Sequence, residues 1–277
     1  MGLIDFTSAV FLISILAGLL GALTGLGGGV VIVPALALLF HIDIRYAIGA
    51  SLISVIATSS GTAVSYVREG FSNVRIGMFL EVATTLGAVG GAYLTARMST
   101  HAIGIIFGIT LLYSAWSGLR HQQDHIQHGQ DKLAERLKLT GDYPTEKGRQ
   151  AYVAQNVPAG FGIMFVAGIL SGLLGIGSGA VKVLAMDHAM KLPFKVSTTT
   201  SNFMIGVTAA ASAGIYLGRG YIAPGLAAPV MLGVLAGSLV GARILVRLRV
   251  PILRVIFAVV IVALGVEMIY SGATGRL

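Results

Sequence analysis

Lys182 lies in an otherwise uncharged stretch, three residues past the glycine cluster Gly175-Ile-Gly-Ser-Gly179. A lysine inside an apolar segment is costly: it either serves a functional charge, snorkels to the membrane interface or pairs with a carboxylate such as Asp187. Its chemistry is a full positive charge for an anion. The glycines add to it, because they let backbone N–H groups converge and a helix opening there is partly positive at its first turn. The first half of the chain carries the matching run Gly25-Leu-Gly-Gly-Gly29, with Ile32 where the second half has Lys182. Short helices are expected to start at Val30 and Ala180. Gly27, Gly28, Gly29, Gly177, Ser178 and Gly179 are therefore candidate substrate-binding residues beside Lys182. The competing use of the glycines is close packing of a hairpin.

Hydroxyls form the second group. Ser197-Thr-Thr-Thr-Ser201-Asn202 opens an apolar segment, and Ser51, Ser54 and Thr58 occupy the matching region of the first half. Ser51, Thr58, Ser201, Asn202 and Thr208 are candidates to donate hydrogen bonds to an oxyanion. The same residue types also cap helices and bridge them. Three carboxylates in or near apolar segments, Glu81, Asp187 and Glu267, are candidates to carry a coupling proton. Asp187 is poorly placed to pair with Lys182, since i,i+5 neighbours do not face each other on a helix. His121, His125 and His128 fit one helical face, but their polar surroundings favour a solvated loop over a metal site. There is no cysteine. Ser178 and His188, ten residues apart, make no nucleophile–base pair, so no catalytic residue is assigned. No cofactor is expected. Gly25-x-Gly27 lacks the third glycine of a dinucleotide fingerprint, and no phosphate-loop motif GxxxxGK[ST] occurs.

These residues must be held by membrane helices. Of 277 residues, 55% are apolar and 11% charged, against about 45–50% and about 25% in globular domains. Such a core lacks a charged shell, and Gly 38 suits helices packed in lipid. The expected class is an all-α, multi-pass membrane protein. The net charge of +8 is scattered singly and forms no patch with aromatics, so nucleic acid is not an expected partner. The N-terminus lacks a basic region before its apolar run and carries Asp5, which argues for a retained membrane segment. Apolar stretches of spanning length lie near 3–40, 46–67, 76–96, 102–119, 158–190, 196–217, 221–246 and 251–271.

The two halves are related. Ungapped alignment of 17–107 with 167–257 gives 21 identities in 91 positions, where composition alone gives roughly seven. Matches include Gly25/Gly175, Gly27/Gly177, Gly29/Gly179, Ser51/Ser201, Thr58/Thr208 and Tyr66/Tyr216. The expected organisation is a first repeat at 1–119, a polar loop at 120–157 and a second repeat at 158–277. Carriers are commonly built from two such repeats with the substrate between them.

Residues 3–40 as one helix would be roughly 57 Å long, against a hydrocarbon core of about 30 Å. The chain either passes straight through with a break or turns back at the glycines. Charge counting favours turning back. Fourteen Lys/Arg then share one side and four (Arg45, Arg97, Arg219, Arg276) the other, Lys182 excepted. The positive-inside rule makes the larger group, with the central loop, cytoplasmic. Each repeat is then a glycine-broken helical hairpin (or, on the straight-through alternative, a discontinuous helix) plus three membrane helices, and the repeats are inverted.

GLLGALTGLGGGVVIVPAL at 18–36, SGLLGIGSGAVKV at 171–183 and LPFKVSTTTSNFMIGVTAAAS at 192–212 resemble the TauE/SafE family, the so-called sulfite exporters or toluene sulfonate uptake permeases. The resemblance covers both halves outside 120–157. It departs from the family pattern at Ser178, where glycine is common, and at Leu184, opposite Pro34. It implies a carrier in the cell inner membrane for a small anion, sulfite or an organosulfonate, with the lipid bilayer and that anion as partners and homo-oligomerisation left open. An anion channel and a carrier of small carboxylates are the alternatives.

Overall fold

The computed structural model describes residues 2–24, 28–68, 72–119, 131–145 and 148–245, together with 250–277. Side-chain surroundings within them are described except at 3, 22–24, 61–68, 118–119, 145, 180, 241–245 and 250–257. Gly27 and the three loop histidines fall outside the described residues.

The first half runs α1 (Leu3–Thr24), α2 (Gly29–Pro34), α3 (Ile44–Arg68), α4 (Val74–Thr95) and α5 (Thr100–Leu119). A wider π turn, Ala35–Leu39, prolongs α2. The second half repeats the order with α7 (Val157–Leu174), α8 (Gly179–Leu184), α9 (Phe194–Gly218), α10 (Pro224–Leu245) and α11 (Val250–Ala273). Its π turn, Ala185–Ala189, prolongs α8. Both short helices start one residue before the expected Val30 and Ala180. By length and apolarity alone, four described helical stretches are able to cross a membrane: Ile4–Gly21, Val74–Thr95, Thr100–Ser117 and Val157–Leu174. Large apolar side chains on their outer faces, such as Leu12, Leu86, Ile109 and Val166, are exposed in the isolated chain.

The loop between the halves corrects the expectation of a wholly helical chain. It contains a short helix α6 (Lys132–Arg136) and an antiparallel hairpin, β1 (Thr140–Thr145) with β2 (Gly148–Val153), in which Tyr143 lies opposite Gln150. Asp131 accepts from the backbone N–H groups of Leu133 and Ala134 and thereby caps α6. The hairpin is tied to the helices through Asn73, whose amide nitrogen donates to the Tyr152 hydroxyl at 2.9 Å and to the Thr140 carbonyl at 3.3 Å.

In each half, residues near the start of the long helix and just after the π turn lie side by side. The rings of Phe6 and Phe40 meet edge to face at 5.4 Å, at the start of α1 and just after the first π turn. In the second half the Gln155 N–H donates to the Met190 carbonyl, again joining the residues before and after the broken segment. Turning back needs a left-handed residue at the end of α7, which Gly175 supplies at φ +67.

Helices pair across the halves: α1 with α10, α4 with α7, α3 with α9 and α5 with α11. Small residues permit this closeness. A Cβ at Gly87 or Gly91 would collide with the backbone of Phe165 or Ile169 on α7, and one at Gly237 with the backbone of Ile15 on α1. Arg45 and Arg219 gather at the end of the bundle where α4 stops, donating to the carbonyls of Met98 and Ala92. Arg75 reaches the Lys138 carbonyl at the end where α4 begins.

Candidate functional site

Lys182 is fully buried, one turn into α8. Its Nζ donates to Thr208 Oγ1 on α9 at 2.5 Å. Thr208 Oγ1 in turn donates to Glu81 Oε1 on α4 at 2.7 Å. Thr85, one turn after Glu81, donates to the same oxygen at 3.1 Å. A cation and a carboxylate from opposite halves are therefore joined by one hydroxyl, which accepts from the ammonium and donates to the carboxylate. Glu81 is 5% exposed, and its Oε2 is buried with no hydrogen-bond partner among the described residues. Burying either charge alone would cost several kcal/mol, and pairing through a hydrogen-bonded bridge offsets this.

The sequence places these groups where packing can join them. Thr208 sits on α9, which contacts both α4 and α8. Its side chain, like Ser212 one turn later, is buried in a helix otherwise rich in alanine. The glycine loop then fixes where α8 begins. Gly175, Gly177 and Ser178 all have positive φ, at +67, +71 and +48. Ser178 is strained as a non-glycine residue in this region, and its buried Oγ has no partner among the described residues. Around the loop, Ser51 Oγ donates to the Gly175 carbonyl at 2.8 Å and Ser201 Oγ to the Gly179 carbonyl at 3.3 Å. Gly29 touches the same place, because a Cβ there would meet Ser51 Oγ and the Gly175 carbonyl. The start of α2 and the loop before α8 are thus neighbours.

Of the residues singled out from sequence, Gly29, Ser51, Gly177, Ser178, Gly179, Lys182, Ser201, Thr208 and Glu81 lie in this connected region. Gly28 is buried against Val234 of α10. Thr58 bonds back to the Ser54 carbonyl at 3.0 Å within α3. Asn202 receives the Ser59 hydroxyl on its carbonyl at 3.2 Å, a link between α3 and α9. Asp187 is buried on the π turn after α8 and lies 3.7 Å from His188 Nε2. Glu267 is exposed on α11 and accepts from Ser271 at 3.3 Å. Neither carboxylate is joined to Lys182 by a described hydrogen bond or ion pair. Ser178 and His188 are not paired either: Ser178 is buried, and the His188 side chain is 49% exposed beside Asp187.

Two residues that sequence reasoning had left aside tie the bundle together at the end away from the hairpin. The Tyr216 hydroxyl bonds to Thr95 Oγ1 at 2.9 Å and to the Gly172 carbonyl at 3.0 Å. The recurrence of tyrosine at positions 66 and 216 was the available signal.

The family model described as "Sulfite exporter TauE/SafE" matches residues 10–268. Among relatives, the probable membrane transporter protein YunE of Bacillus subtilis is 28% identical over 268 residues, covering 94% of this chain and 96% of its own. The probable membrane transporter protein YdhB of the same organism is 26% identical, covering 84% and 86%. A probable membrane transporter protein of Methanocaldococcus jannaschii is 23% identical, covering 94% of each. No solved structure matches the chain. The glycine-broken helices, the multi-pass bundle and the match along nearly its whole length converge on one assignment: the chain is a membrane transporter protein of the TauE/SafE family.

Proposed function

We propose that the protein is a secondary carrier of the cell inner membrane that moves a small anion, sulfite or an organosulfonate, held at Lys182. The observation that carries this reading is the buried ammonium of Lys182, set one turn past a glycine loop and bonded to the Thr208 hydroxyl of α9. Buried ionisable groups in membrane helices belong to substrate and ion paths. Glycine-loop amides and Ser178, Ser201 and Thr208 complete the shell. The two halves act as inverted repeats related by exchange of partners, α1–α10 answering α7–α4. The hairpin-bearing loop faces the cytoplasm, since this orientation leaves fourteen Lys/Arg inside and four outside. Carrier chemistry rather than catalysis is supported by the relatives' description as membrane transporter proteins.

The experiment is a thermal-shift screen of purified protein against sulfite, sulfate, thiosulfate, taurine, sulfoacetate, methanesulfonate and acetate. Binding to the folded state raises the unfolding temperature. A shift with sulfur oxyanions that Lys182→Met abolishes, while Lys191→Met retains it, is the expected result. Equal shifts in the parent and Lys182→Met would move the site elsewhere.

A further inference from the structure

We propose that Glu81 takes up one proton for each monovalent anion bound, making the protein an electroneutral proton–anion symporter. The inference rests on the reading that Lys182 holds the anion.

The argument is charge balance in a closed space. Lys182 has no exposed surface and Glu81 is 5% exposed. With Lys182 charged and Glu81 ionised, the buried pair is neutral and its two members are linked through Thr208. An anion arriving at Lys182 would leave the enclosed site with a net negative charge in a medium of low dielectric. A proton added to Glu81 restores neutrality. The oxygen that can accept it is Oε2, the buried one with no partner among the described residues. Once Oε2 carries the proton, the carboxyl no longer compensates the ammonium, and Lys182 Nζ is left to the anion. Bound proton and bound anion therefore favour each other, and the coupling is reciprocal. On release, the O–H bond at Oε2 breaks and the proton leaves to the side that receives the anion, so both cross together.

Among the described residues of the elements packed against Glu81, no other group is placed to take this part. α7, packed against α4, carries no titratable side chain. α9 carries Lys195 thirteen residues before Thr208 and Tyr216 eight residues after it, about 20 Å and about 12 Å along the helix. α4 itself adds only Arg75, six residues before Glu81, besides Tyr93 near its far end. The π turn after α8 carries Asp187 and His188, which lie against each other.

The test uses methanesulfonate, a monoanion throughout the working range, so that the ligand does not titrate. Purified protein in weakly buffered solution should take up one proton per methanesulfonate bound. If one proton enters with each anion, the affinity should fall about tenfold for each unit the pH is raised. An infrared difference spectrum on adding the anion should gain a protonated-carboxyl band. Glu81→Gln, a neutral isostere of the protonated acid, should bind methanesulfonate independently of pH, take up no proton and lack the band. Asp187→Asn should behave as the parent. In liposomes an inward proton gradient should drive accumulation by the parent, a potassium diffusion potential should not, and Glu81→Gln should exchange anion without accumulating it. Binding without proton uptake, or uptake that persists in Glu81→Gln, overturns the coupling and leaves the anion site standing. If the parent binds neither methanesulfonate, sulfite nor acetate, the anion reading falls and the coupling with it. Should Glu81→Gln not fold, the parent's proton count and infrared band still decide.

Discussion

Ser51 Oγ on α3 donates to the Gly175 carbonyl at 2.8 Å, so a helix of the first half holds the glycine loop of the second. Ser51 is fully buried. Ser51→Ala leaves that carbonyl without its donor and should destabilise the protein by about 1–2 kcal/mol. Thermal unfolding in detergent reads the loss, and a melting temperature equal to the parent's would show that the bond carries no stability.

Gly29 lies on the same spot. Gly29→Ala would drive a methyl group into Ser51 Oγ and against the Gly175 carbonyl, whereas Gly90→Ala meets nothing within 4 Å. Overpacking of this kind costs about 1–3 kcal/mol. Size-exclusion yield should fall for Gly29→Ala and hold for Gly90→Ala; equal yields would mean the start of α2 and the glycine loop are farther apart.

Thr208 is the only described bridge between Lys182 and Glu81. Thr208→Val keeps the volume but removes the hydroxyl, and should cost about 1–3 kcal/mol. Thr208→Ser should recover most of it. A valine variant as stable as the parent would mean that the two charged groups meet by another route.

Topology can be read with reporters. Fusions at residue 140 and at the C-terminus are expected on opposite sides of the membrane, the first cytoplasmic. Both on one side would remove the inverted arrangement.

The capped helix α6 should respond to acid. Burial pushes the Asp131 carboxyl up, but the N–H donors of Leu133, Ala134, Val157 and Asn156 together outweigh it and hold the group below its ordinary 3.8. A carboxylate lowered in the folded state stabilises above its unfolded value and loses that contribution as pH falls through the folded one. Protection of the 132–139 amides, measured against the slower intrinsic exchange in acid, should therefore fall below about pH 4, and in Asp131→Ala at neutral pH. Protection unchanged in both would show that α6 does not depend on its cap.

Apolar runs and glycines were legible because they act locally. The helices fall within a few residues of the stretches read from hydropathy, and both breaks come at the glycine clusters. The partner of Lys182 was not legible. Glu81 lies 101 residues away in sequence, and only the packing of α4 and α8 against α9 brings the two within reach of one hydroxyl. Each residue was noticed singly, but periodicity does not encode which helices are neighbours. The β hairpin escaped for another reason. Its strands are six residues each, mostly polar, and Pro144 interrupts one of them, so the alternation that marks a half-buried strand is weak. Tyr152 and Asn73 fix it through a contact that spans 79 residues.

The exchange of helix partners has a consequence for how such a chain comes to exist. α1 finds its main partner in α10 and α4 in α7, so a single half, inserted alone, would present its glycine-lined seams to lipid with nothing to close them. The smallest assembly that closes those seams is a pair of halves, so neither half reaches its packed state before the other is in the membrane.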